Sequence, residues 1–257
     1  MIQFISAFSV ATSYVVAIYW IQPQNIQGKD RNDPDVIRFR FKRISLLCAA
    51  LLIMVPFAKS SPYLETVKSF GILPGFTQST GIVNDVINVM KSLLLISTLY
   101  MGPLYLYFSE PFSIAYDWVE NFTTIEGVRD HVFAPVTEEL IYRGIISAIT
   151  NAWYTPYLFG IAHLHHAYRL LTTTKISIGI IAFNTVFQFA YTSIFGVLAN
   201  HVYLKYERNL WCPIIIHCMC NLIGFPTIVV DSGATSVHAA VYYTLILAGS
   251  IGFYMLL

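Results

Sequence analysis

The chain has 257 residues, of which 56% are hydrophobic and only 11% are charged. Soluble domains carry about 25% charged residues, so this composition excludes an ordinary soluble globular domain. The 15 basic and 14 acidic residues nearly cancel, and this balance argues against a nucleic-acid-binding protein, which needs a basic surface.

Long stretches without charged residues follow one another along the chain. A helix of about 20 apolar residues can cross the hydrocarbon core of a bilayer. The stretches near that length are residues 2–21, 92–109, 144–168, 176–204, 210–230 and 232–257. The shorter run 44–58 and the segment around Glu138 add two more. We therefore predict an all-α polytopic membrane protein, a bundle of about seven to eight transmembrane helices, with residues 1–257 forming a single integral-membrane domain.

A basic loop follows the first apolar run. Its basic residues are Lys29, Arg31, Arg38, Arg40, Lys42 and Arg43. Lysine and arginine are concentrated in cytoplasmic loops, so we expect this loop in the cytosol and the N-terminus outside or in a lumen. The first run lacks a basic N-terminal region and a clear cleavage site, and we expect it to remain as a signal anchor.

Ionisable residues in apolar helices are costly and mark functional sites. The first cluster lies in "FAPVTEELIYRG", residues 133–144. Glu139 and Arg143 are four residues apart, with the acid first, which favours an ion pair on one helix face. Glu138 points about 100° away and is free to contact another group. Pro135 predicts a helix start just before the acids, and an interfacial helix start with a surface salt bridge would explain the same residues.

The second cluster is the histidine group of "FGIAHLHHAY", residues 159–168. On one helix His163 and His166 would share a face, and His165 would point elsewhere. A set of interfacial histidines would explain at least one of the three without any chemical role.

The third cluster lies in "LWCPIIIHCMCNLIGFP", residues 210–226, where His217 and Asn221 are four residues apart. A single buried histidine is commonly a hydrogen-bonded core residue. A histidine and an asparagine on one face of an apolar helix both need partners, and lipid offers none.

Three separate helices thus carry groups that suit hydrolysis of an amide bond. The carboxylate of Glu138 can accept a proton from water. Neutral imidazole groups and the amide of Asn221 can donate hydrogen bonds to a developing oxyanion. The sequence predicts that a bundle brings these groups to one internal cavity.

These motifs, EExxxR at residues 138–143, FxxxH at 159–163 and HxxxN at 217–221, resemble in type and order those of the type II CAAX prenyl proteases. These Ras-converting endopeptidases of the endoplasmic reticulum belong to the CPBP/ABI intramembrane protease family, and the flanks are similar to the eukaryotic branch. The motif core covers about residues 131–226. One position departs from the resemblance, because Arg208 stands before "NLW" where a glycine is expected.

The resemblance implies removal of the C-terminal tripeptide from prenylated CAAX proteins, with Ras-type and Rho-type GTPases as clients at the endoplasmic reticulum membrane. We expect no cofactor, with zinc as the alternative. The catalytic residues would be Glu138 as the general base, His163 positioning the water, and His217 and Asn221 binding the oxyanion. The supporting residues would be Glu139, Arg143 and Phe159, with the Glu139–Arg143 pair aiming the helix or contacting the substrate's carboxylate.

Three alternatives remain open on the sequence. Glu138, His163 and His217 form a His₂Glu set of the kind that binds catalytic zinc, although no HExxH motif accompanies it. Cys220, three residues from His217, would be the nucleophile of a cysteine protease. A non-enzymatic transporter or scaffold would use the same intramembrane groups as a proton relay.

Overall fold

The computed structural model describes residues 1–59, 61–75, 77, 81–109, 114–227 and 236–257. All of its regular secondary structure in these ranges is helical. The first helices are α1 (Ile2–Tyr19), α2 (Pro34–Ala58), α3 (Tyr63–Ser69), α4 (Ile82–Leu99), α5 (Met101–Ser109), α6 (Ile114–Phe122) and α7 (Ile125–Val128). The later ones are α8 (Ala134–Glu139), α9 (Ile146–Ile149), α10 (Thr155–His163), α11 (His165–Thr173), α12 (Ile178–Lys205), α13 (Trp211–Ile223) and α14 (Ser236–Leu256).

Within the described ranges, 5 helices are long and apolar enough to cross a membrane: α1, α2, α4, α12 and α14. Their large apolar side chains are exposed to a degree that water would penalise, as Leu247 and Tyr254 of α14 illustrate at 63% and 81%. In lipid such side chains need no protein cover. The prediction of an all-α polytopic membrane protein is confirmed, with shorter apolar helices such as α13 packed among the long ones.

Two of the predicted spans have the wrong boundaries, and proline explains both. The run 144–168 is interrupted after Ile149, and a new helix, α10, begins with Pro156 in its first turn. The run 92–109 is divided at Tyr100 between α4 and α5, and Pro103 lies in the first turn of α5. Proline has no N–H for an upstream carbonyl and therefore starts helices more readily than it continues them.

The last two predicted runs extend beyond what the structure describes. Residues 228–230 and 232–235 lie outside the described residues. Within the described part, α13 ends at Ile223 and is followed by Gly224 with a φ of 71°. Positive φ is a conformation that glycine adopts readily.

The two glutamates lie in the middle of one continuous helical stretch, and not at a helix start. This stretch begins at α7, whose first turn is capped when the Thr124 side chain accepts a hydrogen bond from the N–H of Gly127. It continues through a first π segment (Arg129–Phe133), α8, a second π segment (Leu140–Ile145) and α9. The wider turn of the first π segment accommodates Pro135 within the stretch. The prediction of a helix start at Pro135 was wrong.

The helices pack around two hydrophobic clusters. The first joins α1, α2, α10 and the second π segment, and the other joins α4, α12 and α13. Helix α13 contributes Ile214 to the first cluster and Ile216 to the other. It therefore separates the two clusters, and the side chain of His217 points from it toward the glutamates of α8.

Candidate active site

A buried network of three charged or polar side chains lies beneath the site. One oxygen of Glu139, Oε1, accepts hydrogen bonds from Nη1 of Arg143 at 3.0 Å and from Nδ1 of His217 at 2.7 Å. The side chains of Arg143 and Glu139 are only 2% and 0% exposed. The predicted ion pair is therefore present, but as a buried group, and the alternative of a surface salt bridge was wrong.

Arg143 also connects this network to α12 and to the FxxxH motif. Its Nη2 donates to the carbonyl oxygen of Gly196 at 3.3 Å. Its guanidinium carbon lies 4.6 Å from the ring centre of Phe159, and the same ring is 4.6 Å from the ring of His163. Phe159 is 2% exposed and acts as packing between the two. Arg143 is not part of the cavity wall, so it is not placed to contact a substrate carboxylate.

The predicted catalytic residues line one cavity of about 240 Å³: Glu138, His163, His217 and Asn221. They come from α8, α10 and α13, which are far apart in sequence. Nε2 of His217 lies 3.9 Å from Oε2 of Glu138. The Glu138 side chain is 16% exposed, so it is largely desolvated and yet accessible from the cavity. The two adjacent glutamates therefore lie in different environments. Glu139 belongs to the buried network, and Glu138 faces the cavity.

Hydrogen-bond partners fix the tautomers of the two histidines. A carboxylate and a backbone carbonyl can only accept, so Nδ1 of His217 carries the proton that faces Glu139. Nδ1 of His163 likewise donates to the carbonyl oxygen of Phe159 at 2.7 Å. In the neutral form, Nε2 of each ring then has a lone pair and accepts. The expectation that a neutral His217 donates to an oxyanion does not fit this tautomer, because Nε2 donates only when the ring is protonated.

Asn221 sits at the outer part of the cavity. Its Nδ2 donates to the carbonyl oxygen of Asp130 at 2.8 Å, which ties α13 to the first π segment. One amide hydrogen is used in this bond, and the second remains for another acceptor. Asn221 is exposed and not deep within the bundle as its position in the apolar run implied.

All three histidines of the second cluster line the cavity. The chain turns between α10 and α11 at Leu164, so the spacing of a single helix does not apply to them. The rings of His165 and His166 are 4.0 Å apart, and those of His163 and His166 are 5.9 Å apart. The prediction that His165 points elsewhere was wrong for this reason.

Several residues at the cavity were missed by sequence reasoning. The hydroxyl of Tyr14, on α1, lies 3.5 Å from Oε1 of Glu138 and 3.1 Å from Oγ1 of Thr137. A tyrosine in an apolar run is too common to attract notice, so no sequence signal marked it. The other missed residues are charged groups of the cavity wall: Arg31, Arg40, Arg129, Asp130 and Arg169.

The zinc alternative requires Glu138, His163 and His217 to meet at one metal ion. In the described part of the chain, no group of three or more His, Cys, Asp or Glu side chains is arranged to hold a metal ion. One ring nitrogen of each histidine donates to an oxygen of the protein, an arrangement that zinc-bound histidines also show. The zinc alternative is therefore left to the chelation experiment described below.

Cys220 lies three residues after His217 on α13. It packs against the cluster of α4 that contains Leu95 and Ile96, and it is not part of the cavity wall. A nucleophile must reach both its base and the substrate. The position of Cys220 gives no support to the cysteine protease alternative.

The part of the chain that forms this site is similar to known proteins. Residues 120–223 match the family described as Type II CAAX prenyl endopeptidase Rce1-like. "CAAX prenyl protease 2" of Saccharomyces cerevisiae is 31% identical over 87% of this chain and 80% of its own length. "Probable CAAX prenyl protease 2" of Schizosaccharomyces pombe is 29% identical over 98% and 91%. "CAAX prenyl protease 2" of Homo sapiens is 29% identical over 87% and 70%. No solved structure matches the chain significantly.

Proposed function

The chain belongs to the CAAX prenyl protease 2 family, and from this premise we propose that it is an intramembrane endopeptidase that removes the C-terminal tripeptide from prenylated CAAX proteins. The observation that carries the proposal is the placement of Glu138 beside His217 in a cavity within apolar helices. A lipid-modified substrate is held at the membrane by its prenyl group. An active site among membrane helices is suited to such a substrate.

Glu138 acts as the general base. Its carboxylate accepts a proton from a water molecule, whose oxygen attacks the carbonyl carbon of the prenylated cysteine. The C–N bond of the resulting tetrahedral intermediate then breaks. The proton held by Glu138 passes to the leaving nitrogen, and the products are a new carboxyl terminus and a free tripeptide. Nε2 of His163 accepts a hydrogen bond that orients the water, and Nε2 of His217 lies 3.9 Å from Oε2 of Glu138.

The negative charge that develops on the carbonyl oxygen needs donors. The second amide hydrogen of Asn221 is one, and a protonated His217 is the other. Glu139 supports this second role, because a carboxylate on Nδ1 stabilises the imidazolium and keeps the ring in place. Arg143 offsets the cost of burying Glu139. Glu139 and Arg143 are thus positioning residues, and Phe159 packs behind them.

The proposal extends to the substrates, the membrane in which the protein lies and its domain organisation. The substrates are prenylated CAAX termini, among them Ras-type and Rho-type GTPases. The membrane is that of the endoplasmic reticulum, with the basic loop 22–43 in the cytosol, where such termini are exposed. Residues 1–257 act as a single integral-membrane domain, and no cofactor takes part.

A cleavage assay tests this function. We expect the purified protein to release the tripeptide from a prenylated CAAX peptide, and Glu138→Gln to lower the rate by at least about 10²-fold, the loss typical of a missing acid–base group. Cys220→Ala serves as the matched control on a nearby thiol and should retain activity. Activity should also persist after treatment with a strong chelator.

The outcomes separate the alternatives. Loss of activity on chelation, restored by zinc, would favour the zinc enzyme. Loss of activity in a folded Cys220→Ala variant would favour the thiol. If the wild-type protein in membranes releases no tripeptide, or if Glu138→Gln cleaves at the wild-type rate, the proposed function is wrong, and a transporter or scaffold becomes the better interpretation.

A further inference from the structure

Four arginines line the same cavity as Glu138. Arg31 comes from the loop before α2, and Arg40 from α2 itself. Arg129 opens the first π segment, and Arg169 lies in α11. They meet from four separate segments of the chain. The described cavity wall contains only two carboxylates, Asp130 near these arginines and the catalytic Glu138.

Asp130 is already engaged. Its two carboxylate oxygens accept hydrogen bonds from Nε and Nη2 of Arg129, both at 2.7 Å. Nη2 of Arg31 lies 3.7 Å from the same carboxylate. Burial, followed by repulsion from Arg129, lowers the pKa of Arg31 in its loop. One carboxylate therefore faces the guanidinium groups of both Arg129 and Arg31.

Arg40 has an unused donor. Its Nε is buried and has no hydrogen-bond partner among the described residues. Its guanidinium carbon lies 5.6 Å from the ring centre of Tyr19, a contact that holds the group without satisfying the N–H. A buried N–H without an acceptor is unfavourable, so a ligand that accepts hydrogen bonds from the Arg40 side chain would be stabilised in this part of the cavity.

We propose that this arginine cluster, Arg31, Arg40, Arg129 and Arg169, binds the free C-terminal carboxylate of the CAAX tail. This inference rests on the proposed function. The terminal carboxylate lies three residues beyond the scissile bond, about 10 Å away along an extended chain. The cluster and Glu138 line the same cavity, so a tail held at both points spans it. Planar guanidinium groups match the shape of a carboxylate and bind it with paired hydrogen bonds.

The cluster thereby sets the cleavage position. A tail with a carboxylate at the right distance from Glu138 would place its third peptide bond from the end against the catalytic water. An anionic lipid headgroup is the competing occupant of a basic cavity at a membrane surface. The presence of Glu138 in the same cavity and the small volume, about 240 Å³, favour a short peptide end.

The test compares two prenylated CAAX peptides that differ only at the C-terminus, one with a free carboxylate and one with a carboxamide. We expect the wild-type protein to cleave the acid with a kcat/KM at least about tenfold higher, as charge-assisted hydrogen bonds are lost with the amide. Arg40→Gln should lower kcat/KM for the acid by a similar factor, mainly through KM. It should leave cleavage of the amide nearly unchanged.

Two further variants complete the design. Arg38→Gln, on the same helix but with a side chain 67% exposed, is the matched control and should retain the preference for the acid. Arg40→Lys keeps the charge and should keep part of the preference. A folded Arg40→Gln protein with the wild-type preference would overturn the inference while leaving the proposed function intact.

The lipid alternative gives a different pattern. If Arg40→Gln slows both peptides equally, and only in vesicles that contain anionic lipid, the cluster binds lipid and the inference is wrong. If the wild-type protein cleaves neither peptide, the proposed function fails and the inference fails with it. These patterns are distinguishable within one set of measurements.

Discussion

At the scale of single residues, the adjacent glutamates show what a local pattern can predict. Helix geometry separates Glu138 from Glu139 and pairs Glu139 with Arg143, and the structure has this arrangement. The second partner of Glu139, His217, is 78 residues away. No local rule identifies such a contact, because it depends on how α8 and α13 pack. The tautomer of His217, and hence its chemistry, could therefore not be predicted from the sequence.

Glu139→Gln tests the positioning role of this carboxylate. The glutamine has nearly the same size but no charge to stabilise a protonated His217, so we expect kcat to fall by about 10²-fold or more with KM little changed. The measurement is steady-state cleavage of a prenylated CAAX peptide, with a melting curve in detergent to verify folding. A loss that appears only in KM would contradict a role in chemistry and indicate a role in substrate binding.

At the scale of elements, apolar runs predicted that helices exist, but not where they break. Pro156 divides the run 144–168, and the composition of that run did not indicate that the helix breaks there. The π segments on either side of α8 were also not predictable, since their hydrogen bonds span only one residue more than those of an α-helix and their sequences carry no distinct mark. They flank the helix that bears Glu138, where irregular backbone often accompanies function.

The turn between α12 and α13 gives an element-scale prediction. Glu207 and Arg208 have positive φ values of 56° and 60°, which cost non-glycine residues roughly 1–2 kcal/mol each. The family resemblance placed a glycine at position 208, and the structure explains why one fits. We expect Arg208→Gly to raise the free energy of unfolding by about 1 kcal/mol.

Arg208→Ala is the matched control for this turn. It removes the same side chain, including the 3.4 Å contact of Nη2 with Asn151, but it retains the Cβ that makes positive φ unfavourable. Thermal unfolding in detergent should therefore show stabilisation for the glycine variant alone. Equal melting temperatures for the two variants would show that the backbone conformation contributes nothing.

At the scale of the whole molecule, the site depends on close contact between α10 and α12. A Cβ on Gly196 would lie 2.4 Å from the carbonyl oxygen of Pro156, and a Cβ on Gly160 would lie 2.2 Å from Oγ of Ser193. Small residues at such crossings let membrane helices approach each other. The carbonyl of Gly196 also accepts the hydrogen bond from Arg143. The contact that positions His163 on α10 is therefore the same contact that secures the Glu139–Arg143 network.

Gly196→Ala should disturb both the position of His163 and the Glu139–Arg143 network. The added methyl group meets backbone, which cannot move aside, so α10 and α12 must separate, and we expect a lower melting temperature and at least about a tenfold loss of cleavage activity. Gly179→Ala is the matched control on α12, because a Cβ there meets nothing within 4 Å. It should be neutral or slightly stabilising, because Gly179 lies in the first turn of α12, where alanine gains less over glycine than in a helix interior. Of these two identical substitutions on one helix, only Gly196→Ala should destabilise the protein, and a stabilised, fully active Gly196→Ala variant would show that the site does not depend on this contact.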